Sequence, residues 1–324
     1  MTVSNLFLQT EGALNVLNTT ERAIATPRPA PGLGFRKIMV IIASEDTAAH
    51  CLDSAMMFFS TETSEIHFMS LAPRVAPELP HARPVRNGLA TRKYPKPVEV
   101  FLHESVSIEP EQDIRRLAYS FEIDLIVMIA HPGPGLLSVF LKRADERILR
   151  AAPCPVVAVP CPSDSVTLEK NEKGFNTESG KVNSAGNKNK RNLLACLRSH
   201  EKAENVVQFG TELAEKWNCA LNILVTAEFG NAGGERSNPR PIQIAQDLLD
   251  AWVPQHLRGS ALGASNIAFF ESVRQSARGC APELLLVGGQ HRFWQANHRI
   301  DLNTERIVRG SSAPVLCIPN TLYQ

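Results

Sequence analysis

DLIVMIA, residues 124–130, is one acidic residue followed by six apolar ones, and ELLLVGG, residues 283–289, repeats the pattern 159 positions later. A continuous apolar run of this length reads as a strand buried on both faces of a parallel sheet. The same spacing recurs around it. Glu146-Arg147-Ile148 returns as Glu305-Arg306-Ile307, and Cys154-Pro155-Val156 returns as Ala313-Pro314-Val315, each at the same offset and without a gap. Three matches at one offset identify an internal duplication.

The copies also begin alike. RKIMVIIAS from Arg36 and RNLLACLRS from Arg191 are short, apolar and then polar. In the second copy the next segment places Ala203, Val206, Val207, Phe209, Gly210 and Leu213 at near-helical spacing. SEIHFMSLA from Ser64 and ALNILVTA from Ala220 supply the following strands. Strands alternating with helices imply an α/β chain with a doubly wound, mainly parallel sheet. About five strands are expected per copy, in the first at 37–43, 65–71, 98–103, 124–130 and 155–159.

Composition sets the outer bounds. At 324 residues the chain is long for one core, and 44% hydrophobic with 21% charged residues describes a globular protein. With 34 basic and 33 acidic residues the net charge of +1 gives no general attraction to nucleic acid or anionic membrane. The N-terminal MTVSNLFLQTEGALNVLNTTER has no early positive charge and no long apolar core, so it does not read as a secretory signal. No run approaches the roughly 20 apolar residues of a membrane span. The seven cysteines are scattered, and none form a C-x-x-C pair. Cys154 and Cys161 fall on opposite faces of an extended run, about 23 Å apart at ~3.3 Å per residue, too far for a disulfide. A reducing, cytoplasmic location is expected.

The expected organisation is a low-order arm at 1–35, a first domain at 36–161, a flexible polar linker at 162–190 and a second, more divergent domain at 191–324. Residues 72–97, proline-rich and basic, read as a long loop between the second and third strands.

The chain resembles the universal stress protein family in its tandem form. The residues that carry the resemblance are the Asp124 strand, Glu146-Arg147-Ile148-Leu149 and the AAPCPVVAVP run from Ala151, with their counterparts from Glu283, Glu305 and Ser311. The resemblance implies two Rossmann-like units, paired through their fifth strands as an intramolecular pseudo-dimer. Many relatives bind ATP through a glycine motif after the fourth strand, G-x2-G-x9-G-[ST], and an aspartate at the end of the first. Glycines let backbone N–H groups approach phosphates at a helix N-terminus.

On that motif the first copy places Ile129, Pro132 and Lys142-Arg143, with Ala43 at the aspartate position. The second copy places Gly288, His291 and Asp301-Leu302, with Arg198 at the aspartate position. Only Gly288 matches, and Pro132 lacks the N–H a phosphate needs. The motif is degenerate in both copies. No bound cofactor is expected, with ATP or AMP as the alternative. If a nucleotide binds, the candidates are Ala43, Met69, Gly133, Gly135, Lys142 and Arg143 in the first copy, and Arg198, Gly288, Gly289 and Arg292 in the second.

Other clusters read as structural. Glu45, Asp46 and His50 fit the start of a helix. His291 and His298 lack a third metal ligand, while Phe293 and Trp294 suit either a partner contact or a lid. No glycine-rich loop follows the first strand of either copy, which disfavours an ATP-cleaving enzyme. The expectation is a non-catalytic stress-response protein acting through protein partners, with a nucleotide-regulated switch as the alternative. The fifth-strand pairing joins the two halves, and a homodimer stays open.

Overall fold

The computed structural model describes residues 35–42, 45–59, 63–71, 98–105, 109–130, 146–149, 152–161, 191–198, 203–227, 240–265, 268–288 and 302–319. In the first half these form strands β1 (Lys37–Ile42), β2 (Glu65–Ser70), β3 (Glu99–Glu104), β4 (Leu125–Ala130) and β5 (Val156–Pro160). The second half forms β6 (Asn192–Arg198), β7 (Ala220–Ala227), β8 (Arg258–Ser265), β9 (Leu284–Gly288) and β10 (Val315–Ile318). The helices are α1 (Glu45–Met56), α2 (Pro110–Ser120), α3 (Ala203–Trp217), α4 (Pro241–Trp252), α5 (Phe269–Cys280) and α6 (Leu302–Gly310). The five strands expected in the first half are present, each shifted by no more than one position at either end.

All strands join one ten-stranded sheet in the order β3-β2-β1-β4-β5-β10-β9-β6-β7-β8. Within each half every pairing is parallel, and the two halves meet in the one antiparallel pair, β5 with β10. Its register is Val315↔Ala158, Leu316↔Val157 and Cys317↔Val156. Leu316 and Val157 are separated by the repeat offset itself, so each is the other's repeat equivalent. The flanking pairs exchange under the same offset. A local two-fold axis therefore passes through the Leu316–Val157 pair, as in an isologous dimer interface.

Helices cover both faces. One apolar layer gathers α1, α3 and α4 with Ile38, Val40, Val127, Val157, Leu197 and Leu316; the other gathers α2, α5 and α6 with Met39, Ile126, Met128, Leu285 and Val315. Both layers run unbroken across the seam. Above it, Phe58 packs on Trp217 with centroids 5.3 Å apart, Phe35 on Phe209 at 6.1 Å, and Lys216 Nζ donates to the Phe58 carbonyl at 3.4 Å. Below it, the Arg309 guanidinium binds both Glu146 of the first half and Glu305 of its own helix. Cys154 joins one layer and Cys161 packs against the other, and none of the seven cysteines is disulfide-bonded.

The repeated acidic residue explains how each fourth strand is anchored. Asp124 Oδ2 accepts the N–H groups of Arg36 at 2.9 Å and Lys37 at 3.1 Å, at the start of β1. Glu283, one methylene longer, instead takes the Arg191 Nε–H, at 2.8 Å through Oε1 and 2.7 Å through Oε2. The helices before these strands end alike, with Glu122 (φ 54°) and Ala281 (φ 45°) left-handed at equivalent positions.

The outer strand of the second half shows a different device. The β7–β8 register shifts between Leu221 and Ile223. At the shift the buried Asn222 side chain donates to the Leu193 carbonyl at 3.1 Å and accepts the Ser260 N–H at 2.8 Å. Gly259 makes room, since a Cβ there would lie 2.4 Å from Asn222 Oδ1. This is a β-bulge repaired by a side-chain amide. Replacing Asn222 with Ala leaves one buried and one partly buried backbone group without their partner, and urea denaturation is expected to show a loss of about 1–3 kcal/mol. Leu316→Ala, on the two-fold axis, is expected to cost about 2–5 kcal/mol in the same measurement.

Candidate functional site

In doubly wound sheets ligands bind outside the carboxyl ends of the strands where the strand order reverses. Here those points lie between β1 and β4 and between β6 and β9. Of the ten sequence candidates, Ala43, Gly133, Gly135, Lys142, Arg143, Gly289 and Arg292 lie outside the described residues, as do His291, His298, Phe293 and Trp294. Met69, Arg198 and Gly288 are described.

Met69 is fully buried in β2, within the layer beneath α2. Strand alternation turns it into the core and away from the crevice. Arg198 ends β6 and is 4% exposed, with its guanidinium 4.8 Å from the centre of the Phe269 ring at the start of α5. Gly288 ends the neighbouring β9, opposite Ile318 of β10. The structure thus brings Arg198 and Gly288 to one switch point and leaves Met69 in the other half. Around them Thr226 Oγ1 donates to the Leu197 carbonyl at 3.4 Å. In the first half the described strand ends, Ile42 and Ala130, are buried and apolar. His50, at the first strand exit, donates through Nε2 to the Pro160 carbonyl at 3.2 Å and so ties α1 to β5.

A second polar cluster was not among the sequence candidates. Lys37 Nζ lies 3.0 Å from Glu65 Oε1, Glu65 Oε2 lies 3.1 Å from His67 Nε2, and His67 Nδ1 lies 3.0 Å from His103 Nε2. These residues come from β1, β2 and β3 on the face beneath α2. His67 is fully enclosed, stacked on Phe101 at 4.6 Å and flanked by Phe121 at 4.8 Å. Burial lowers the His67 pKa, outweighing its hydrogen bond to Glu65. Burial, and then His67 beside it, bring His103 down to about 4. Both rings are neutral at pH 7. The sequence does carry a signal for this cluster: Glu65 and His67, at alternate positions of an apolar strand, share one face.

The described residues hold few chemical groups beyond these. No three His, Cys, Asp or Glu side chains among them are arranged to hold a metal ion. Burial pushes the Cys317 thiol up to about 12, so it stays protonated and unreactive. No described helix is long and apolar enough to cross a membrane.

Comparison with known proteins places this architecture. Residues 34–160 match the universal stress protein family model. A universal stress protein from Archaeoglobus fulgidus DSM 4304 aligns with a TM-score of 0.57 at 10% identity, covering 89% of this chain and 97% of its own. A functionally unknown protein from Pseudomonas aeruginosa PAO1 aligns with a TM-score of 0.56 at 14% identity, covering 89% of this chain and 93% of its own. At these identities the likeness is one of fold. No curated protein sequence matches the chain. The expected family is borne out over residues 34–160, which match its model, and the second half repeats the fold of that segment.

Proposed function

We propose that the chain is a tandem universal stress protein whose units, at 36–161 and 191–324, flank a linker, and that it serves as a non-catalytic stress-response or regulatory protein working through protein contacts rather than through a nucleotide. Arg198 carries the reading. Relatives that bind ATP carry an aspartate, a hydrogen-bond acceptor, at the end of the first strand. The second half puts there a guanidinium, which has only donors, and turns it inward onto Phe269. The first half has Ala43 at that position, beside apolar strand ends. Neither copy carries that aspartate at the aligned position.

Calorimetric titration of the full chain with Mg-ATP and with AMP tests this directly. No heat is expected at millimolar nucleotide. Micromolar binding that disappears in a Lys142→Ala/Arg143→Ala double variant would overturn the reading and establish a nucleotide-regulated switch, with basic side chains replacing the glycine motif. A structural Arg198 makes a separate prediction. Arg198→Ala is expected to lower stability by about 1–3 kcal/mol in urea, through lost packing and the cation–π contact, while the nucleotide titration stays flat.

A further inference from the structure

One position does the same job in both halves with different chemistry. His67 is the third residue of β2 and Asn222 the third of β7, and each lies beside the first strand of its half, in register with Met39 and Leu194. Each reaches outward to the last strand of the sheet. Asn222 takes the Ser260 N–H of β8, and His67 bonds to His103 of β3. Among the described strands β3 and β8 are the two edges.

The ends of the chain of hydrogen bonds fix the tautomers. The Glu65 carboxylate only accepts, so His67 Nε2 donates to it. Neutral His67 then has only the Nδ1 lone pair to offer, so His103 Nε2 donates to that atom. With the His103 proton on Nε2, a proton on His67 Nδ1 would set two N–H donors 3.0 Å apart. A proton on His103 would place a cation beside His67 in a site walled by Phe101 and Phe121. The charges facing the pair are Lys37 from β1, Glu65 from β2 and the exposed Glu99 at the start of β3. From α2 come Asp113, held by Ser105 and Arg116, and Glu111, held by Arg147. Glu65 is already shared with Lys37.

We propose that Glu65, His67 and His103 form a proton-operated latch: neutral, they hold edge strand β3 on the sheet, and acid releases it, whereas Asn222 keeps β8 attached at any pH. The sign follows from linkage. A detached β3 returns His103 to its ordinary 6.5, above the folded value of about 4. Between those values the detached state binds more protons. Attachment is therefore full above about pH 6.5 and weakens as pH falls toward 4. The inference is independent of whether a nucleotide binds.

Hydrogen–deuterium exchange on the full chain at about pH 7.5 and about pH 5, corrected for intrinsic exchange, reads both edges in one molecule. The amides of β3 are expected to lose protection by roughly tenfold or more at the lower pH while those of β8 hold. His103→Gln retains an N–H donor but cannot titrate, and is expected to make β3 as insensitive to pH as β8. Parallel loss of protection in β3 and β8 of the native chain would overturn the latch, since acid would then act on the whole fold. So would a His103→Gln variant whose β3 keeps its full acid response. Should that variant fail to fold, the comparison of the two edges in the native chain decides alone.

Discussion

The antiparallel pairing of β5 with β10 is the constraint on which the rest of the molecule depends. Each half, taken alone, is a five-stranded parallel sheet that ends on a short apolar strand, VVAVP or VLCI, with unpaired backbone groups along one side. Such an edge invites pairing with another chain. Joining the two edges satisfies both ladders at once and lets the helix layers close over the seam as continuous cores. The aromatic group of Phe35, Phe58, Phe209 and Trp217 on one face, and Arg309 with two glutamates on the other, follow from that closure. Because one chain carries both halves, the pairing is intramolecular and does not depend on protein concentration. It also uses up the fifth strand, so any association between copies of this chain in the same fold has to employ another surface.

Several structural features recur in the two halves at one spacing. The strand anchors Asp124 and Glu283, the left-handed Glu122 and Ala281, and the paired Glu146 and Glu305 all keep the one repeat offset. The strand ends carry Ala43 in one half and Arg198 in the other, and the outer strands are tied by imidazoles on one side and by an amide on the other. Core positions are held by packing against two neighbours; strand ends are held only by what they bind.

This division also explains what the sequence revealed. Buried parallel strands announce themselves as apolar runs, so DLIVMIA and its repeat were enough to locate the sheet and its duplication. The fate of individual side chains was harder to read. Met69 follows an apolar strand into the crevice region, yet alternation points it into the core. Arg198 falls at a ligand position, yet Phe269, from a helix two strands further along the chain, draws it inward. Asn222 binds Ser260 and His67 binds His103 across 38 and 36 residues, contacts that no local pattern specifies. Helix α4, at Pro241–Trp252 between β7 and β8, has no counterpart that the sequence of the first half suggests, since only a proline-rich stretch stands at the corresponding place.

The two edge ties show how equivalent structural solutions can differ in response. A buried polar group must be satisfied, and at neutral pH the amide of Asn222 and the imidazole of His67 meet that requirement equally well. They part company in acid. An amide keeps its donor and acceptor at any physiological pH, so its hydrogen bonds are indifferent to protons. A neutral imidazole keeps its acceptor only while it remains unprotonated, and its burial beside a second histidine makes that condition depend on the solution. The repeated fold supplies two copies of one position, and the residue type at that position decides whether its edge of the sheet is a fixed part of the fold or one coupled to pH.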